Sequence, residues 1–222
     1  MSLAATGRHV DGDACGPAST AQPGWSPRDA LVAVHGMRAV SMMLEVLQDV
    51  LPQTNLHVTD GTDPLGTLLA SARPALVLVD LNLIDYSVRD LITQARTLNS
   101  DARIVAVLGH GDDDRVLPAL RCGAAGFLLK HNSRDEVVAQ LNSIIAGVLP
   151  LTPALARHAI RHLDQSGLVR RVTGAELELL RWISLGDTPA EAAWRLQLER
   201  SAVARHARHV FDLLGLPATA DV

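Results

Sequence analysis

The sequence predicts an α/β fold, a doubly wound five-stranded parallel sheet, followed by a smaller all-α domain. Short, wholly apolar runs recur along the first two thirds of the chain, as strands buried on both faces require. Amphipathic stretches separate them, so that strand and helix alternate. From residue 172 onward only capped, amphipathic helices remain.

Residues 1–27 mix Gly, Pro, Ser, Ala and Asp without hydrophobic period and read as a disordered leader. Residues 30–34 form the first strand. A helix over 38–50 follows, with Val40, Met43, Leu44, Leu47 and Val50 on one side and Pro52 past its end. Residues 56–58 make a short second strand and 64–72 a modest helix. Residues 75–79 are again wholly apolar and end at Asp80. A helix over 87–98 leads to the fourth strand, 103–108. The next helix starts after Asp112, Asp113 and Asp114, acids that suit a helix N-terminus. Pro118 within it should kink it or delay its start. Residues 126–129 form the fifth strand and 133–146 the fifth helix, with Val137, Val138, Leu141, Ile144 and Ile145 in helical period. In such sheets ligands gather at the carboxyl ends of the strands, here His35, Asp80, Leu108 and Lys130. This first domain spans 28–148.

A linker helix occupies 149–171: Thr152-Pro153 is a helix entry, and Ser166-Gly167 an exit. In the second domain, 172–222, Thr173 and Glu176 have capping-box spacing, and Leu177, Leu180, Ile183 and Leu185 form a stripe stopped by Gly186. Thr188-Pro189-Ala190-Glu191 is a second capping box with proline at the first helical position. Ala192, Ala193 and Leu196 can pack inward. A third helix runs from about Arg200 to Leu214 and stops at Gly215. Two short helices and a longer third describe a helix-turn-helix unit.

Composition narrows the function classes. The chain has 222 residues, 48% of them hydrophobic, and a net charge of −4. No stretch approaches the roughly 18 apolar residues of a membrane span, and no signal pattern opens the chain. Cys15 and Cys122 lie far apart and read as free thiols of a cytoplasmic protein. Residues 28–150 carry 10 Lys/Arg against 14 Asp/Glu, whereas 151–222 carry 9 Arg against 8 Asp/Glu. From Arg200 to His209 there are three arginines, two histidines and no acid. We find no catalytic triad, phosphate-binding glycine loop, metal-ligand cluster or paired acid/base carboxylates, so neither an enzyme nor a cofactor is expected.

Two motif sets carry a family resemblance. One joins Pro74-Ala75-Leu76-Val77-Leu78-Val79-Asp80-Leu81 with Gly123-Ala124-Ala125-Gly126-Phe127-Leu128-Leu129-Lys130. The other is Val172-Thr173 with Glu176, Glu178, Leu179-Leu180, Gly186, Glu191, Ala193, Leu196, Val203, His206 and Leu214-Gly215-Leu216. In this order they resemble the NarL/FixJ family of response regulators, a CheY-like receiver followed by a LuxR-type helix-turn-helix. The resemblance implies a phosphoacceptor at Asp80 and a partner lysine at Lys130. It also implies an acidic pair for magnesium and a hydroxyl after the fourth strand. Here the acidic pair falls on His35 and Gly36, the hydroxyl on Leu108, and the usual Pro-Gly after the phosphoacceptor loop is replaced around Ile84-Asp85. Magnesium wants hard oxygen ligands, and leucine cannot hydrogen-bond a phosphoryl oxygen. The pocket is therefore expected to be degenerate, without magnesium, and Asp80 to form an ion pair with Lys130 rather than accept a phosphoryl group.

The resemblance further implies double-stranded DNA as partner, with the third helix in the major groove. Thr188, Arg200, Val203, Arg205, His206, Arg208 and His209 are the candidate contacts. The arginines would reach phosphates or a guanine edge, and Val203 would pack inward or touch a thymine methyl. The family's lysine after the valine is Ala204, and the polar residues opening the second helix are Pro189 and Ala190, so specificity is not carried over. Because the chain ends at Val222, any homodimer is expected to form through the receiver-like domain or the linker. The alternatives are a conventional phosphorylation-switched regulator, or an interaction module holding a ligand or protein at the degenerate pocket with weak DNA binding. No membrane partner is expected.

Overall fold

The computed structural model describes residues 26–60, 64–83, 88–109, 115–149 and 151–216. Five strands, β1 (Asp29–Ala33), β2 (Asn55–Thr59), β3 (Leu76–Asp80), β4 (Arg103–Leu108) and β5 (Gly126–Leu129), pair in parallel in the order β2-β1-β3-β4-β5. The helices between them are α1 (Met37–Val50), α2 (Leu65–Ala72), α3 (Val88–Leu98) and α4 (Val116–Arg121), and α5 (Arg134–Ile145) follows β5. The doubly wound sheet expected from the apolar runs is present, with edges shifted by a residue or two.

Side-chain alternation divides the sheet into two faces. Ala30, Val32, Leu76, Leu78, Val105, Val107 and Leu128 pack with Met43, Val46 and Leu47 of α1 and with Val137, Leu141 and Ile144 of α5. Leu31, Val77, Val79, Ile104, Ala106 and Phe127 face Leu69 of α2, Leu91 of α3 and Val116 and Leu120 of α4. β3, β4 and β5 are buried along their whole length, hence their apolar sequences. Pro118 occupies the third position of α4, where its missing N–H breaks no intrahelical bond, and the helix is only six residues long. Pro118 therefore falls in the first turn of α4.

The second core face continues without interruption into α6 (Pro153–Gln165), α7 (Gly174–Ser184), α8 (Pro189–Arg195) and α9 (Arg200–Leu213), through Leu149, Leu151, Leu155, Ala159 and Leu163 to Phe211 and Leu214. Thr152 caps α6, its hydroxyl accepting the Leu155 N–H at 3.2 Å. A short 3-10 turn, Leu168–Arg171, joins α6 to α7 and was not legible in the sequence. The expected leader lies outside the described residues up to position 25. Pro27 is buried, and its carbonyl accepts the Thr54 hydroxyl at 2.7 Å. The Ile84-Asp85 replacement, the acidic run 112–114 and residues 217–222 also lie outside the described residues.

Candidate nucleic-acid interface and strand-end pocket

The strand order reverses between β1 and β3, which opens a crevice at their carboxyl ends. Asp80 ends β3 there and is fully buried. Its Oδ2 accepts from Lys130 Nζ and, at 3.2 Å, from the His35 backbone N–H, while Oδ1 accepts from the Asn82 N–H at 3.0 Å. Lys130 is placed by its own N–H, which donates to the Leu108 carbonyl at 2.9 Å. The pocket thus unites Asp80, Lys130 and the His35 backbone, whereas the His35 side chain is exposed and Leu108 is buried in the core. Gly36 caps α1 with φ 101°, a left-handed backbone that glycine alone takes without strain. An acid at that position would carry a conformational cost. Among the described residues no three His, Cys, Asp or Glu side chains converge on a metal-sized site. Sequence reasoning missed Arg115, whose Nη1 donates to Asn82 Oδ1 at 2.8 Å and Nη2 to the Leu81 carbonyl at 2.7 Å, tying the start of α4 to the loop after β3.

In the helical part, both capping boxes form as spaced in the sequence. α7, α8 and α9 pack on one another, burying Val203, Ala207, Val210 and Phe211 of α9 and Leu214 at its C-cap. Ser201, Arg205, Arg208 and Asp212 recur at helical spacing on its exposed side. Arg200 opens the helix, and its side chain lies outside the described residues. Val203 is 2% exposed and packs inward, the first of its two expected roles. Thr188 is exposed but engaged in its cap: its hydroxyl accepts the Glu191 N–H at 3.2 Å and donates to Glu191 Oε2 at 2.8 Å.

The two histidines of α9 are arranged differently from the simple outward reading. His206 Nδ1 lies 3.2 Å and His209 Nδ1 2.8 Å from the same oxygen, Glu176 Oε1. An ionised carboxylate only accepts, so each Nδ1 carries the proton it donates. Glu176 itself is 3% exposed. Burial alone would raise its carboxyl, but the Thr173 backbone N–H, His209, His206 and the Thr173 hydroxyl outweigh that and hold it down at about 2. His206 is mostly covered, whereas His209 keeps nearly half of its side chain exposed. Arg195 of α8, also missed, donates from Nε to Asp187 Oδ2 at 2.6 Å and lies over the Trp182 ring at 4.8 Å.

No family model matches the chain. A curated relative, the nitrate/nitrite response regulator protein NarL of Escherichia coli K12, is 28% identical over 158 residues, covering 67% of this chain and 71% of that protein. In sequence the chain is similar to the NarL-type response regulators. The nitrate/nitrite response regulator homologue of Haemophilus influenzae is 24% identical across 72% of this chain and 76% of its own. The transcriptional regulatory protein LiaR of Bacillus subtilis is 25% identical across 84% of this chain and 90% of its own. Among solved structures, the RcsB response regulator of Salmonella typhimurium matches in fold with TM-score 0.50 at 16% identity, over 86% of this chain and 94% of that one. In this chain the five-stranded sheet comes first and the helical unit second, the order expected from the sequence.

Proposed function

We propose that the chain is a DNA-binding transcription regulator of the response-regulator type, and that conventional aspartyl phosphorylation does not control it. The observation that carries the first part is the pair Arg205 and Arg208 on the exposed side of α9, a helix whose opposite side is fixed by Val203, Ala207 and Phe211. An α-helix of that kind fits the major groove, and arginines supply phosphate and guanine contacts. The names of the relatives, response regulators and a transcriptional regulatory protein, support the same reading.

The second part rests on the donor set around Asp80. Both carboxylate oxygens already hold donors, no second acid stands at His35 or Gly36, and Leu108 offers no hydroxyl. A magnesium ion fits this set poorly, because it needs several hard oxygens and the pocket brings an ammonium instead. The proposed state is a permanent Asp80–Lys130 pair that closes the strand ends.

The DNA reading predicts steep salt dependence, since phosphate contacts release counterions. Wild-type protein should select fragments from an unbiased pool at low salt. Replacing Arg205 or Arg208 with alanine should flatten the slope of log affinity against log salt by about one if the residue meets a phosphate. If it reads guanine, the loss should be about 1–3 kcal/mol on the preferred site only. Intact binding by the Arg205→Ala/Arg208→Ala double variant would sink the assignment of α9.

A further inference from the structure

His209 and Glu176 form a pair that crosses from α9 to α7. The Glu176 carboxylate lies behind α9 and accepts the Nδ1–H of His209 at 2.8 Å. A neutral imidazole whose proton is fixed on Nδ1 keeps a lone pair on Nε2. The Nε2–Cδ2 edge stands opposite Nδ1 in the five-membered ring, so it belongs to the exposed part of the side chain. That part is 45% for His209 against 18% for His206, which singles out His209 of the two. His209 follows Arg205 by one helical turn and shares its outward strip. Of the helices packed here, α7 brings Glu176 to the ring, and its Glu178 and Arg181 pair with each other. α9 itself adds Arg205, His206, Arg208 and Asp212 within about one turn. On α8, Glu191 and Arg195 are bound to Thr188 and Asp187. Glu176, held at about 2, stays ionised through the range in which imidazoles change charge.

We infer that His209 is a proton-dependent contact to the DNA backbone: its protonated Nε2 donates to a phosphate oxygen, and Glu176 is the positioning residue that aims that edge outward. The inference rests on the DNA reading of α9 and adds a regulation to it, because binding then takes up a proton. With Nδ1–H committed to Glu176, the neutral ring offers a phosphate only the Nε2 lone pair, which repels it. A proton taken from solvent turns the same atom into a charged donor, and no bond to Glu176 has to break. Charge-assisted hydrogen bonds of this kind are the strong ones. Arg205 keeps its charge at every pH of interest, so it holds the DNA while His209 sets how tightly.

Fluorescence-anisotropy titration of the full chain against a short DNA duplex of mixed sequence tests this, at constant ionic strength near pH 8 and near pH 6. Wild type should bind about tenfold more tightly at the lower pH, the scale of one charge-assisted hydrogen bond. Its slope of log affinity against log salt should also be steeper there by about one, for the added phosphate contact. His209→Gln keeps an amide N–H for Glu176 but does not titrate, and should lose the gain at low pH. His209→Lys carries its charge throughout, and should bind more tightly than wild type near pH 8 with the pH dependence gone. Equal wild-type affinity at both pH values, an unchanged salt slope, or an undiminished gain in His209→Gln would each overturn the inference. Where the Arg205→Ala/Arg208→Ala double variant still weakens binding, those results leave the DNA reading standing. Wild-type protein that binds no duplex at either pH overturns both.

Discussion

Glu176 joins the start of α7 to α9, accepting from Thr173 on one side and from His206 and His209 on the other. Its carboxyl, at about 2 in the fold against 4.5 when unstructured, contributes stability that is full above pH 4.5 and is lost as pH falls toward 2. The contribution is on the order of 3 kcal/mol. Glu176→Gln should therefore be less stable than wild type by about that amount near neutral pH, with the difference closing in acid. Denaturant titrations across this pH range check it, and an equal gap at both ends would contradict the linkage. The spacing of Thr173 and Glu176 made the cap legible, but not the bonds to histidines thirty or more positions on, because those depend on how α9 crosses α7. Asp80 was legible for other reasons: its strand and its position at the strand end follow from local patterns, and its lysine partner from the family resemblance. Its closed donor set predicts that acetyl phosphate or beryllofluoride with magnesium leaves the chain unmodified. Intact mass spectrometry showing a stable adduct that disappears in Asp80→Asn would refute a closed pocket.

At the scale of elements, local chemistry fixed most boundaries. Ser133, Thr173 and Thr188 each stand just before a helix with glutamate three residues on, and each box is formed. The element that sequence reasoning missed, the 3-10 turn before α7, is one shaped by tertiary packing. For α8, a helix of seven residues, the Thr188 cap matters in proportion, and Thr188→Ala should lower stability by about 1 kcal/mol. Thr188→Asp should restore it, since aspartate caps equally well. The same aspartate should weaken DNA binding if Thr188 stands beside a phosphate, because it adds negative charge there. Thermal melts and DNA titrations of the two variants separate the cap from the contact. An unchanged melting temperature in Thr188→Ala would show that the cap carries no weight.

For the whole molecule, the stretch 149–171 is not a bare spacer. Its helix α6 buries Ala154, Leu155, Ala156, Ala159 and Leu163, and the core behind α2, α3 and α4 runs through it into α7 and α9. The sequence allowed a linker helix there, since an amphipathic stretch reads alike whether its apolar side meets one neighbour or several. Continuity of the core has a thermodynamic consequence. Separating the helical unit from the sheet would expose apolar surface on both sides and leave the Leu214 carbonyl without the Arg121 guanidinium. Each large apolar side chain so exposed costs about 1.5–3 kcal/mol, a sizeable fraction of the 5–15 kcal/mol that holds a typical domain folded. Neither half should therefore melt alone. Calorimetry of the full chain should give a single transition whose calorimetric and van't Hoff enthalpies agree. Leu155→Ala, at a fully buried site on α6, should cost about 2–5 kcal/mol and shift that one transition downward without splitting it. Two resolved transitions in the wild type, with Leu155→Ala moving only one of them, would show that the halves fold independently and meet only loosely.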